Sequence, residues 1–147
     1  MIKTLGSTSI LVASIGMGTG FTDQELQHPQ EIIHLLSLGI DKGINLIDTA
    51  ESYGNGLCEE LVGKAIQDRR ERAIIASKFS PEHSSFDDVI KSCETSLKRL
   101  QTDCIDIYQV HWIDPATPIG ETMEALLKIQ DQGKIKVIGV SNYNVEQ

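Results

Sequence analysis

The sequence predicts an α/β fold in which strands and helices alternate along the whole chain. Apolar runs rich in β-branched residues recur, segments with helical periodicity separate them, and the later strands start about 30 residues apart. Strict alternation is typical of parallel strands joined by right-handed crossovers. Two architectures fit: a doubly wound open sheet, or part of a (β/α)8 barrel. The length suits one domain, so residues 1–147 are expected to form a single domain.

The predicted strands are apolar at nearly every position, as expected where both faces of a sheet are covered. They lie at residues 11–18, 44–50, 73–77, 104–112 and 135–141. The N-terminal run is interpreted as a first strand, because it lacks the clear small-residue cleavage site of a signal peptide.

The helical segments between these strands carry start and stop signals. The first two are predicted over residues 29–43 and 57–66. The third has Ser85 as its N-cap and Asp88 three residues later, which resembles a capping box. In the fourth, Thr117 is the predicted N-cap, Pro118 takes the first helical position and Gly133 ends the helix.

Composition excludes several classes of function. The net charge of −8 and the absence of a basic cluster argue against binding to nucleic acid or to anionic membranes. No apolar run is long enough to cross a bilayer. The three cysteines are widely spaced and lack a CxxC pair, which favours buried thiols in a reducing cytoplasm over a disulfide framework or a metal site.

Ionisable residues stand at the ends of three successive predicted strands. The second strand ends in Asp48, with Tyr53 in the loop beyond; the third ends in Lys78 and the fourth in His111. In parallel α/β folds, ligands bind at the carboxyl ends of strands. Each residue alone also suits a structural role, as a cap, a turn aromatic, a solvated lysine or a core histidine. Their occurrence on successive strands is what indicates a site.

These side chains together support proton transfer. Tyrosine is a weak acid with an unperturbed pKa of about 10, and a nearby ammonium favours its phenolate. Lys78 would act on Tyr53 in this way, and Asp48 would hold Lys78 charged and in place. A neutral His111 would donate a hydrogen bond to a substrate carbonyl oxygen. The set lacks an electron source, which points to carbonyl reduction with a nicotinamide cofactor.

Glycines 16, 18 and 20 form G-x-G-x-G, which differs from the dinucleotide-binding fingerprint. Four other segments carry a family resemblance: NLIDTAESYGNGLCEELVGKAI, RAIIASKF, SLKRLQTDCIDIYQVHW and TPIGETMEALLKIQDQGKIKVIGVSN. They are similar to the N-terminal half of the aldo-keto reductases, over nearly the whole chain. That family has a (β/α)8 barrel and reduces aldehydes and ketones to alcohols with NADPH. The resemblance implies a partial barrel of about four βα units plus a fifth strand.

The resemblance also implies roles for single residues. The family's catalytic tetrad of Asp, Tyr, Lys and His falls on the four strand-end residues, with the tyrosine as general acid. Ser141 and Asn142 match the pair that holds the nicotinamide carboxamide, and Gly18 and Thr19 match a pair near the cofactor. Trp112 is a candidate for the substrate pocket.

The resemblance ends after the fifth strand. In the family, the later strands carry an aromatic that stacks on the nicotinamide and the Lys, Ser and Arg that bind the cofactor's phosphates. Two functions therefore stay open: NADPH-dependent reduction of a small carbonyl substrate, or a catalytically silent half barrel or interaction module that retains the tetrad. Open sheet edges predict a homodimer or a complementing half-barrel chain.

Overall fold

The computed structural model describes residues 2–147 and contains two sheets and four α-helices. The strands are β1 (Ile2–Thr4), β2 (Leu11–Ala13), β3 (Gly16–Gly18), β4 (Leu46–Asp48), β5 (Ile74–Phe79), β6 (Ile105–Val110) and β7 (Ile135–Val140). The helices are α1 (Pro29–Asp41), α2 (Leu57–Ile66), α3 (Phe86–Leu100) and α4 (Ile119–Asp131). Short 3-10 turns precede α1, α2, β5 and α3.

The strand order decides between the two predicted architectures. The main sheet runs β3-β4-β5-β6-β7, so each strand pairs in parallel with the strand before it. The helices pack in the same sequence, α1 on α2, α2 on α3 and α3 on α4. A doubly wound sheet reverses its strand order, whereas a barrel adds strands in sequence order. The prediction of a partial (β/α)8 barrel is therefore confirmed.

The prediction of one continuous strand over residues 11–18 is wrong. Residues 11–18 form two strands: β2 pairs antiparallel with β1 in a hairpin, and β3 begins the parallel sheet. The side chain of Asn45 accepts from the Ala13 N–H at 2.7 Å and donates to the Leu11 carbonyl at 2.8 Å. These bonds hold β2 beside the start of β4, so the chain must turn before it enters the main sheet.

The predicted helix starts have different outcomes. Ser85 caps α3 as expected, because its Oγ accepts from the Asp88 N–H and also donates to the Asp88 carboxylate at 2.6 Å. The prediction for Thr117 is wrong, since α4 begins at Ile119 and Pro118 occupies the N-cap. The Thr117 hydroxyl donates instead to the Asp114 carboxylate at 2.6 Å, so it is not available to the helix.

The two faces of the main sheet have different surroundings. Side chains on the outer face lie against the helices and form the core, with Ile47, Ile75 and Tyr108 fully buried. Because side chains alternate across a strand, the residues between these point to the inner face. There a cavity of about 340 Å³ is lined by apolar side chains together with Asp48 and Gln109.

Apolar side chains are exposed at both ends of the partial barrel. Leu35 on α1 is 62% exposed, and Leu127 on α4 and Val140 on β7 are each about half exposed. β3 and β7 are the edge strands of the main sheet. None of the helices within residues 2–147 has both the length and the apolar character needed to cross a bilayer.

Candidate active site

Lys78 lies at the centre of the site. It is the fifth residue of β5 and is 5% exposed. Its ammonium donates to Asp48 Oδ2 at 2.8 Å and to the Thr49 carbonyl at 2.9 Å, and it lies 3.5 Å from Tyr53 Oη. An ammonium has three N–H donors, and each of them has an oxygen to bind here. The charge is therefore both buried and fully hydrogen-bonded, as a buried charge must be.

Strand register places Asp48 beside this lysine. Asp48 is the last residue of β4 and lies opposite Ala76 of β5, two residues before Lys78. Both side chains therefore point to the inner face, and the long lysine side chain reaches back to the carboxylate. The Asp48 side chain is 44% exposed whereas the Lys78 side chain is 6% exposed. The ion pair is thus open to the interior of the partial barrel on the Asp48 side.

Tyr53 is carried by a tight turn with positive φ angles. Gly54, Asn55 and Gly56 have φ of 55°, 53° and 90°, a region that favours glycine and tolerates asparagine. A side chain at Gly56 would collide with the guanidinium of Arg99. The two glycines therefore let this loop turn back into the second helix.

His111 follows β6 and faces the tyrosine. Its N–H donates to the Phe79 carbonyl at 3.1 Å, which continues the pairing of β5 and β6. Its ring lies edge-on to Tyr53, with the ring centroids 5.7 Å apart. Burial lowers the pKa of His111 below its usual value, and the positive charge of Lys78 lowers it further. The imidazole is therefore neutral at neutral pH, so that one nitrogen can donate and the other can accept.

The candidate cofactor residues have different environments. Thr19 is fully buried, and its N–H and hydroxyl both bind the Asp48 carbonyl, at 3.0 and 3.1 Å. Gly18 has open space where a side chain would stand. Asn142 is exposed and donates to the His111 carbonyl and to Ser141 Oγ, both at 3.0 Å. Thr19 therefore supports Asp48, while the other residues present polar or open surface beside the four strand-end residues.

Trp112 stands next to the same site. Its side chain is 52% exposed, and its ring centroid lies 6.3 Å from that of His111. An exposed indole beside a polar cluster offers apolar contact surface to a small ligand. Leu26 belongs to the 3-10 turn before α1. A Cβ added at Gly54 would lie 2.8 Å from the Leu26 side chain, so this 3-10 turn packs against the turn that carries Tyr53.

Sequence reasoning missed Glu51, which lies between Asp48 and Tyr53 and is 8% exposed. Its Oε1 accepts from the Ser80 N–H at 2.6 Å and lies 2.7 Å from His83 Nδ1. A charged residue next to the apolar Ala50 was the available signal, because acidic side chains are seldom buried without partners. No cluster of side chains suited to holding a metal ion occurs within residues 2–147.

The geometry brings the four strand-end residues together. Asp48, Lys78, Tyr53 and His111 form one contiguous group through two contacts of the ammonium and one ring contact. The weakly acidic Tyr53 hydroxyl lies beside the Lys78 cation, and the neutral His111 imidazole contacts the Tyr53 ring. Such a group can transfer a proton to a carbonyl oxygen and stabilise the charge that develops there.

Comparison with known proteins agrees with this geometry. The sequence profile of the Aldo/keto reductase family matches residues 14–147. The chain is 41% identical to Aldo-keto reductase YhdN of Bacillus subtilis, over 98% of this chain and 47% of that protein. It is 37% identical to Methylglyoxal reductase YeaE of Escherichia coli, over 97% of this chain and 49% of that protein. The chain thus spans about half the length of these curated relatives.

Solved structures give the same result. The thermostable aldo-keto reductase Tm1743, in complex with the inhibitor epalrestat, superimposes with a TM-score of 0.92 and 42% identity, over 99% of this chain and 55% of that chain. An aldo/keto reductase from Klebsiella pneumoniae in complex with NADP and acetate gives a TM-score of 0.87 and 42% identity, over 92% of this chain and 48% of that chain. On the matching sequence profile, the two curated relatives and these folds, the chain belongs to the aldo/keto reductase family.

Proposed function

We propose that this chain contributes the proton-transfer half of an NADPH-dependent carbonyl reductase that converts aldehydes or ketones to alcohols. The observation that supports this most is the buried Lys78 ammonium, which contacts both the Asp48 carboxylate and the Tyr53 hydroxyl. A carboxylate-anchored ammonium beside a phenol suits general-acid catalysis, because the cation stabilises the phenolate left behind.

Each residue has one role in the proposed reaction. Tyr53 donates its proton to the substrate carbonyl oxygen, and His111 donates a hydrogen bond to that oxygen while charge develops on it. Lys78 stabilises the resulting phenolate, and Asp48 orients the Lys78 ammonium through their hydrogen bond. A bound reduced nicotinamide would supply the hydride to the carbonyl carbon. Water then returns a proton to Tyr53, so the atoms and charges balance over one turnover.

The residues present fit part of a nicotinamide site. Ser141 and Asn142 offer a hydroxyl and an amide at the end of β7, and Gly18 leaves open space at the end of β3. We assign these residues to the nicotinamide end of the cofactor, with Thr19 supporting Asp48 from behind. Two solved relatives from Klebsiella pneumoniae are complexes with NADP and with NADPH, which supports the choice of cofactor.

The substrate is proposed to be a small carbonyl compound. Trp112 supplies exposed apolar surface beside His111, and the inner cavity next to Asp48 is lined mainly by apolar side chains. A relative in Escherichia coli is named methylglyoxal reductase, which is consistent with a small substrate. The free thiols of all three cysteines are consistent with function in the cytoplasm, where we place the protein.

Cofactor titration tests this function directly. We expect NADPH fluorescence to change on binding, and the reduced nicotinamide absorbance to fall when an aldehyde is added. A panel of small aldehydes and ketones would then rank the substrates. Absence of binding at millimolar NADPH would show that this chain alone does not carry out the reaction.

A silent half barrel is the second candidate, because the chain spans about half the length of its curated relatives. It predicts intact folding without cofactor binding.

Under either function we propose that residues 1–147 act as one half-barrel domain and that a second copy covers its open edges. The exposed Leu35 and Leu127 support this, since large exposed apolar surfaces mark contact sites. Light scattering should show a dimer. A monodisperse monomer would exclude self-association and leave a complementing half-barrel chain as the partner.

A further inference from the structure

We propose that Glu51 is a positioning residue that holds the Tyr53 turn against the lysine-bearing end of β5. This inference deepens the proposed function and rests on it for its catalytic consequence. Glu51 is 8% exposed, and nothing in the proton transfer itself requires a second carboxylate there. Its contacts point to a mechanical role.

Glu51 binds the end of β5 with its backbone and the residue that follows β5 with its side chain. Its N–H donates to the Lys78 carbonyl at 3.0 Å. Its Oε1 accepts from the N–H of Ser80 at 2.6 Å. One residue therefore binds the backbone at Lys78 in β5 and at Ser80, just after the strand. A short hydrogen bond between a backbone N–H and a carboxylate is stronger than a bond between neutral groups.

His83 makes a second link to the same carboxylate. Its Nδ1 lies 2.7 Å from Glu51 Oε1. A carboxylate oxygen accepts, so Nδ1 must carry the proton in this contact. His83 belongs to the 3-10 turn Pro81–His83, which follows β5. Glu51 thus joins the tyrosine turn, the end of β5 and the turn beyond it.

The position of Tyr53 depends on this junction. The Tyr53 N–H donates to the Ala50 carbonyl at 3.1 Å, which closes a four-residue turn with Glu51 at its second position. A shift of Glu51 therefore shifts Tyr53 relative to Lys78. The relative position of Asp48 and Lys78 is fixed instead by the pairing of β4 with β5. Loss of Glu51 should loosen the tyrosine contact and leave the aspartate contact intact.

The first test is amide hydrogen exchange followed by NMR on the full chain, which needs no turnover. In Glu51→Ala we expect the Tyr53 and Ser80 amides to exchange about tenfold faster, the scale of one lost hydrogen bond to a charged group. The β5–β6 amides should keep their wild-type rates. Glu51→Gln, whose amide oxygen can still accept from Ser80, should restore most of the protection. Glu60→Ala is the matched control, because Glu60 is exposed on α2.

A second variant breaks the same link from the opposite side. Ser80 has φ of −75°, which a proline can adopt, so Ser80→Pro removes the donor to Glu51 with little backbone strain. The Tyr53 amide should again exchange about tenfold faster. This variant decides the question if Glu51→Ala does not fold. Wild-type exchange at Tyr53 in either folded variant would overturn the proposal.

Turnover supplies a readout that a purely structural role would not move. We expect Glu51→Ala to lower kcat per folded molecule by about 10²-fold, the cost of a small misplacement of a reacting group. KM should change less, and Glu51→Gln should recover most of kcat. A folded Glu51→Ala with wild-type kcat would overturn the proposal. If the wild-type chain shows no turnover, the proposed function fails for this chain alone, and the exchange data still decide whether Glu51 holds Tyr53.

Discussion

The Lys78 ammonium lies 3.5 Å from the phenolic oxygen of Tyr53, although 25 positions separate the two residues in the chain. The lysine belongs to β5 and the tyrosine to the turn after β4. The contact therefore exists because the two strands pair in parallel and both side chains come to the same end of the sheet. The proposed acid function depends on this proximity.

Removal of the Tyr53 hydroxyl should abolish proton transfer. We expect Tyr53→Phe to lower kcat by about 10²–10⁴-fold, the usual contribution of a general acid. Cofactor affinity should stay close to the wild-type value, because the ring remains. Stopped-flow turnover and NADPH titration measure the two effects separately. An unchanged kcat would show that another group supplies the proton.

The Asp48–Lys78 pair should contribute modestly to stability. Asp48→Asn leaves the buried Lys78 ammonium without its counter-charge, but the Asp48 side chain is 44% exposed, so water screens the loss. We expect a decrease of about 1 kcal/mol in the free energy of unfolding, measured by urea denaturation. Glu31→Gln is the control, because its contact with His28 is exposed on both sides. A loss no larger than that of the control would contradict the prediction.

The depressed pKa of His111 makes stability depend on pH. Burial, with a contribution from Lys78, lowers this pKa in the folded state, so the unfolded state binds a proton first as the pH falls. The stability from His111 is present above about pH 6.5, the unfolded value. It is lost as the pH falls through the folded pKa. The urea midpoint should drop from pH 7 to pH 5 by less in His111→Gln than in the wild type. An equal drop would contradict this.

The thiols should differ in reactivity. Burial raises the pKa of all three cysteines, that of Cys93 to about 12. Only the thiolate reacts, so a disulfide reagent near pH 8 should modify Cys93 very slowly in the folded protein. Cys104 is the most exposed of the three and should react first. Cys104→Ser should remove the early phase, and all remaining thiols should react in urea. Early modification of Cys93 would contradict the structure.

Gly63 lies where α2 approaches the backbone of α3 closely. An added Cβ would lie 2.6 Å from the Arg99 carbonyl oxygen and 2.8 Å from Leu100 backbone atoms. Since backbone cannot move aside cheaply, Gly63→Ala should destabilise the fold by about 1–3 kcal/mol. Gly120→Ala is the control, because the space around Gly120 is open. Equal unfolding midpoints for the two variants would refute the packing argument.

Local signals in the sequence predicted the elements and the candidate residues well. The Ser85 cap and the glycines around Tyr53 are encoded by residue chemistry within one turn of chain. Thr117 shows the limit of such signals. Its hydroxyl donates to the Asp114 carboxylate instead of capping the helix. The carboxylate and the helix N-terminus are local partners of similar strength, and sequence alone cannot rank them.

Long-range signals were weaker. The run at residues 11–18 has one strand-like composition, yet β2 and β3 belong to different sheets. The outcome depends on Asn45, which lies about thirty residues away and binds the β2 backbone. The cofactor role of Thr19 stays a prediction. The contact of its buried hydroxyl with the Asp48 carbonyl is a further long-range feature that no local pattern indicates.

The sequence by itself determined the α/β class, the ionisable residues at the strand ends and the family, because periodicity, turn chemistry and motif spacing are properties of short segments. Only the tertiary structure decided the sequential strand order, the contact of Lys78 with Tyr53 and the burial of Glu51. These features depend on which strands pair and on which polar groups form hydrogen bonds in the folded core. Packing and hydrogen bonding between segments distant in the sequence determine both, and no local sequence pattern indicates them.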